Sequence, residues 1–269
     1  MKFCFFFCLL FLSSGLLAQG LIDGFFKGKG NLDLAVSASY QQAKQYYAGR
    51  NLINLERNIQ ANSIYAAYGL HPKIDVVANI PVINGQLQDF GFMGKFALLN
   101  LNIKQGKFTA FAGIGGSFPL SNYRTETSQA VGQRAIQIIP RLGFQWMLGN
   151  GFFIQSQSGY NYSLDPVPSS FPFSVKLGLA QSNWYYDAWF DFQEGDGNAD
   201  YQGSVPFTTF RELVTSYQRV GGTIYRGIGP RWGVFLNGSY TLSGRNTGKA
   251  WSAGLGAVIK FSKKTESND

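Results

Sequence analysis

Between residues 134 and 162 the chain reads RAIQIIPRLGFQWMLGNGFFIQSQSGYNY, and taken by twos it separates into two faces. Ile136, Ile138, Pro140, Leu142, Phe144, Trp146 and Leu148 share one parity, opposite Gln137, Arg141, Gly143 and Gln145. Past Gly149-Asn150-Gly151 the alternation resumes with Phe152, Ile154, Ser156, Ser158, Tyr160 and Tyr162 against Gln155, Gln157 and Asn161. Successive side chains of a strand point to opposite sides, so this pattern predicts two strands with one apolar and one wet face, and Asn-Gly marks a tight hairpin between them. Arms of about ten residues suit tilted strands that cross a bilayer. A soluble sandwich would alternate in the same way, so the remainder of the chain decides.

That remainder repeats the pattern. Leu32, Leu34 and Val36 oppose Asp33; Ile74, Val76, Ala78 and Ile80 oppose Asp75; Phe92 and Phe96 oppose Lys95. In the second half Val175, Leu177 and Leu179 oppose Lys176, and Tyr186, Ala188 and Phe190 oppose Asp187 and Asp191. A strand over about 213–226, carrying Arg219, has no clear parity, and the last strand places Trp251, Ala253, Leu255, Ala257, Ile259 and Phe261 on one face. The count is about twelve strands. Short connections near 69–72, 100–106, 149–151, 181–183 and 227–231 alternate with longer ones at 41–58, 119–133, 163–170, 194–212 and 242–248; the one near 84–88 is brief. Short turns on one rim and longer loops on the other belong to an outer-membrane barrel. The expected fold is therefore all-β: a transmembrane antiparallel up-and-down β-barrel with both termini on the periplasmic rim.

Aromatic residues give a second line of argument. Phe108, Trp146, Phe152, Trp184, Trp232 and Phe261 fall at the short-turn ends of strands, and Tyr160, Phe171, Tyr240 and Trp251 at the long-loop ends. Two such rows are expected where amphipathic rings meet two membrane interfaces.

The first residues, MKFCFFFCLLFLSSGLLAQ, place Lys2 before an apolar run and small residues before Gln19, the pattern of a cleaved secretory signal peptide over 1–18. The expected barrel domain is 19–269. Cys4 and Cys8, the chain's two cysteines, fall inside that signal, so the exported chain is expected to hold neither disulfide nor thiol chemistry. Charged residues are 14% and aromatics 16%, a balance suited to a barrel wall. A net charge of +8 with scattered basic residues argues against nucleic acid as a partner. Outer-membrane lipids, a small-molecule solute and the barrel-assembly machinery that inserts such chains are the expected partners.

Catalytic chemistry finds little to work with. His71, the one histidine, stands beside Pro72 in an expected turn, away from any serine it could serve as a base. His and Cys metal sites fail on count. Glu194, Asp196 and Asp200 could offer oxygen ligands to calcium, although a solvated loop explains them as well. No catalytic residue, metal site or cofactor is expected. The inward parity is more informative. It holds Asp33, Asp75, Asp187 and Asp191 against Lys95, Arg141 and Lys176, with Arg219 added as a candidate from the strand without clear parity. These should pair or meet water, because isolated buried charges are costly. They describe either a closed, salt-bridged interior or a narrow polar passage.

Several short motifs together resemble one family. These are Tyr68-Gly69-Leu70 followed by Asp75-Val76 and Ile80-Pro81, Gly94-Lys95-Phe96-Ala97-Leu98-Leu99, and Gly116-Ser117-Phe118-Pro119-Leu120. Leu242-Ser243-Gly244-Arg245-Asn246-Thr247-Gly248 completes the set. The chain resembles the outer-membrane barrel family named for the MetA pathway of phenol degradation, a transporter-like group. The resemblance implies a channel for small, aromatic or hydrophobic molecules and hands over no site residues. A non-conducting barrel that uses its long loops at the cell surface is the alternative.

Overall fold

A computed structural model describes residues 22–127 and 130–262; the expected signal peptide and the polar tail after Ser262 lie outside the described residues. Twelve antiparallel strands form the wall: β1 Leu32–Ala48, β2 Arg57–His71, β3 Ile74–Ile83, β4 Asp89–Ile103, β5 Gly106–Pro119, β6 Gln137–Leu148, β7 Phe152–Gly159, β8 Ser170–Ala180, β9 Trp184–Gly195, β10 Ser216–Ile228, β11 Trp232–Arg245 and β12 Thr247–Phe261. Each pairs with its sequence neighbours, and β1 pairs with β12 from Leu32↔Phe261 to Tyr47↔Thr247, which closes the sheet on itself. Short pieces at Asn51–Ile53, Gln86–Leu87 and Tyr162–Ser163 prolong the wall at the loop rim. Closure leaves no unpaired edge, a condition for backbone in hydrocarbon.

The outer face is the apolar parity. Along β6, Ile138, Leu142, Phe144 and Trp146 are exposed while Gln145 is buried inside; Leu142 is 64% exposed, and Leu98 and Leu236 reach 62% and 61%. In water such a continuous apolar band would drive aggregation; against lipid it is the matching surface. Trp146, Phe152, Trp232 and Phe261 are exposed towards the turn rim, and Tyr160, Phe171, Tyr240 and Trp251 towards the loop rim. Phe108 and Trp184 are half-buried because they stack on outer-face neighbours, Phe108 on Phe144 and Trp184 on Tyr186, with the Arg226 guanidinium 4.9 Å from the Trp184 ring.

Four stretches differ from the sequence reading. The expected connection 100–106 shrinks to the turn 104–105: a bulge between Ala97 and Leu99 turns both Leu98 and Leu99 outward, and β4 runs on with Leu101 and Ile103 on the lipid side. One extra residue reverses every later side chain, which hid the strand from a fixed period of two. The expected loop 41–58 is mostly wall, because β1 continues past a bulge at Ala43/Gln45 to Ala48. Here the neighbouring loops and strand ends cover the strand, burying the consecutive residues Tyr46, Tyr47 and Ala48, so alternation fades while backbone pairing continues. The expected loop 242–248 shrinks to Asn246 alone, at φ 49°, between β11 and β12. Finally, the barrel wall does not begin where the expected signal ends: residues 22–27 lie inside it, and 28–31 cross the turn rim.

Candidate functional site: the barrel interior

The interior has three tiers, and the first is the chain's own N-terminal segment. It enters at the turn rim, where Gly30 N–H donates to Gly69 O at 2.7 Å and Gly69 N–H donates to Asn31 O at 2.9 Å. A Cβ on Gly69 would lie 1.9 Å from Gly28 O, so only glycine admits the segment here. Further in, Ile22 joins Ala67, Val77, Met93, Phe111 and Ile139 in a buried cluster with Phe26 and Tyr65 against it. Phe111 is 0% exposed and Met93 1%, so this level of the lumen is dry. Phe25 meets the rings of Phe153 and Tyr185 edge-on at 5.2 and 6.3 Å, while Gln157 Nε2 donates to Ile22 O at 2.9 Å. Gly24 crosses directly over Gln145: a Cβ there would stand 2.4 Å from that of Gln145.

Charge fixes the segment as well. Lys95 Nζ lies 3.2 Å from both Asp23 Oδ1 and Asp75 Oδ2, donates to Phe25 O, and sits 4.4 Å from the Phe26 ring centre. The Lys27 backbone N–H donates to Asp75 Oδ2 at 3.1 Å, and Lys27 Nζ reaches Asp33 Oδ2 at 2.5 Å. Three of the inward charges singled out in the sequence, Asp33, Asp75 and Lys95, thus converge on this segment, which compensates charges that would otherwise be buried alone. On the opposite wall Lys176 pairs with Asp187 at 3.2 Å, and Tyr185 Oη donates to Asp187 Oδ2 at 2.7 Å.

Above the segment lies a cavity of about 540 Å³, bordered among others by Arg57, Asp89, Arg141, Gln157, Asp191 and Arg219. Arg141 is already engaged, donating to Pro140 O at 2.8 Å, to Tyr160 O at 3.1 Å and to Asn161 Oδ1. Arg219 lies flat on the Tyr217 ring at 3.5 Å.

The third tier is a roof made by the two longest loops, 120–136 and 196–215. Gln133 Nε2 donates to the carbonyls of Arg211 and Leu213 at 3.0 and 2.8 Å, and the Arg211 guanidinium returns bonds to Gln133 O and Arg134 O. Glu126 accepts from Thr209 Oγ1 and Phe210 N at 2.5 and 3.0 Å. These bonds hold the Glu126 carboxyl below its usual range, the Phe210 N–H first. Asn246, the single residue left of an expected loop, is the hub on the other side. Its Oδ1 accepts from Gly49 N and Tyr201 N, and its Nδ2 donates to Ala199 O, Asp200 Oδ1 and Val214 O.

Two of the three acidic residues considered for calcium belong to arginines: Glu194 to Arg50 at 2.8 Å and Asp200 to Arg245 at 2.6 Å. Among the described residues no group of three His, Cys, Asp or Glu side chains could hold a metal ion. His71 lies exposed at the turn rim, its Nδ1 accepting from Lys73 N. Sequence reasoning missed the N-terminal segment. Its signals were Phe25-Phe26, a pair that breaks alternation, and Lys27 at the rim that carries Asp33 and Asp75.

No family model matches the sequence, and no curated protein does. Solved structures do. An outer-membrane channel from Pseudomonas putida F1 superposes with a TM-score of 0.69 at 10% identity, over 90% of this chain and all of that one. The NanC porin gives 0.57 at 10% identity, over 85% of this chain and all of the other. The KdgM porin in complex with disordered oligogalacturonate gives 0.50 at 7%, over 84% and 99%. The chain is an outer-membrane β-barrel. Its apolar band and its fold agree on that. The likeness extends to the fold and does not single out the phenol-degradation family.

Proposed function

We propose that this barrel is a gated channel for small solutes, with the N-terminal segment as its gate and the roofed cavity as its vestibule. The observation that carries the reading is the segment's manner of seating. It closes the lumen by side-chain packing and ion pairs, without becoming a strand of the wall, so it can leave while the twelve strands stay paired. A barrel of this size lies between those filled by side chains and those with open aqueous channels, so an internal segment decides whether it conducts. On this reading the short-turn rim and both ends of the wall face the periplasm and the roof faces outward. Insertion depends on outer-membrane lipid and the barrel-assembly machinery. The inward charges of Asp33, Asp75, Lys95, Arg141, Lys176, Asp187, Asp191 and Arg219 line the solute path. The family resemblance adds aromatic molecules as candidate solutes, and the rings of Tyr46, Tyr123, Tyr217 and Phe210 around the cavity are compatible with them.

The dry cluster around Ile22 favours the second reading, a non-conducting structural barrel. Planar-bilayer recordings separate the two. A barrel lacking residues 22–27 should conduct in discrete steps where the full chain stays mostly closed. A deleted barrel that folds, inserts and still passes no current would establish the structural reading.

A further inference from the structure

Five charged residues border the cavity: Arg57, Asp89, Arg141, Asp191 and Arg219. Three are engaged. Arg57 donates to Ala130 O and lies over the Tyr46 ring, Asp89 accepts from Tyr123 Oη at 2.7 Å, and Arg141 holds the three oxygens named above. Asp191 is not, and Arg219 is held only by its stacking on the Tyr217 ring. Asp191 is 5% exposed and its Oδ2 has no hydrogen-bond partner, and neither has Arg219 Nε. The two are directly opposite each other across β9 and β10, yet their charged ends do not come within ion-pairing distance. Lys176, the other cation near Asp191, is drawn away by Asp187 at 3.2 Å.

The same rung continues through β8 to β7, Asp191 opposite Ser174 and Ser174 opposite Gln157. Gln157 is 6% exposed, its Nε2 spent on Ile22 O and its Oε1 without a partner. With strands about 4.8 Å apart, the rung presents two unspent acceptors, Gln157 Oε1 and Asp191 Oδ2, and one cationic group with its Nε unspent, the Arg219 guanidinium on Tyr217, within about 15 Å of wall. Buried polar groups are normally satisfied, and a charge shut away without a partner is costly. A ligand that answers all three needs a cationic donor at one end and an anionic acceptor beside it.

We infer that this rung is a binding site for a small zwitterion of the α-amino acid type, its ammonium held by Asp191 and Gln157 and its carboxylate by Arg219. The inference deepens the channel reading by naming a solute class, and it rests on the cavity being part of the solute path. A purely anionic solute would face Asp191, and a purely cationic one would face Arg219, so each lone charge is repelled where the pair is welcomed.

Equilibrium binding to the purified full chain, measured calorimetrically, tests it with four probes that share one ring. These are L-phenylalanine, 2-phenylethylamine, 3-phenylpropionate and 3-phenylpropanol. The expected result is binding of L-phenylalanine at least tenfold tighter than of the other three. Asp191→Asn and Arg219→Gln should each weaken it at least tenfold, in barrels that keep the wild-type heat-modifiable gel mobility. Equal binding of 3-phenylpropanol would show an apolar pocket only and overturn the site, as would absence of L-phenylalanine binding or indifference to both substitutions. Conductance of the barrel lacking residues 22–27 reports the channel reading separately. Current without this binding pattern sinks the zwitterion site alone, whereas the binding pattern without current keeps the site and sinks the passage.

Discussion

Replacing Gly24 by valine should open the barrel. The added Cβ would stand 2.4 Å from the Gln145 Cβ and 2.8 Å from both Cδ and Oε1 of that side chain. Carbon atoms prefer about 3.5–4.0 Å, so the segment must shift by roughly 1 Å or more. It has little room to do so, because Asp23 and Phe25 on either side are tied to Lys95 and Phe153. Overpacking of a filled interior costs about 1–3 kcal/mol. That cost falls on the seated state alone, so the open population should rise roughly 5- to 150-fold. Single-channel recording would read this as a rise in open probability, and osmotic swelling of proteoliposomes as a faster rate. Gln145→Gly removes the atoms struck and should return Gly24→Val towards closure. Equal open probability in Gly24→Val and wild type would refute the steric argument. So would an open Gly24→Val barrel that Gln145→Gly leaves unchanged.

Two further outcomes follow from the wall and the roof. Leu142→Arg puts a guanidinium at a position 64% exposed to lipid in the middle of β6 and should lower folding stability by about 2–4 kcal/mol, read from denaturant-dependent folding into vesicles; a change of a few tenths would place Leu142 away from the lipid. The roof should loosen in acid. Glu126 and Glu212 are held below the usual carboxyl range by hydrogen bonds, and Asp200, which burial would raise, is brought below it by Arg245 and Asn246. Depressed carboxyls stabilise above their unfolded values and lose that contribution as pH falls through the folded ones, so protease cutting within 196–215 should stay slow at neutral pH and accelerate only below about pH 4. Acceleration near pH 6 instead would show that these carboxylates do not hold the roof.

The wall was legible in the sequence because its rule is local. Each strand in the bilayer must show lipid one face and the interior the other, so parity alone separates Leu142 from Gln145, and Asn150-Gly151 marks its own turn. The same rule failed where the period ended, at the Leu98/Leu99 bulge, and where loops cover the wall, in the buried run of β1 to Ala48. That Asp75 and Lys95 face inward could be read by counting. What they meet could not, for Asp23 stands 72 residues from Lys95 and the Lys27 amide 48 from Asp75. Partners at such distances are set by barrel closure, which brings the rim of β1 and β2 to the segment that precedes them. The roof obeys the same logic: Glu126 meets Phe210 across 84 residues, through backbone groups that carry no residue type to recognise. The strand pattern therefore determined a lipid-facing barrel, and only the closed tertiary structure decided that its lumen is filled from the N-terminal end, roofed by two loops, and left with Asp191 Oδ2 and Arg219 Nε without partners between them.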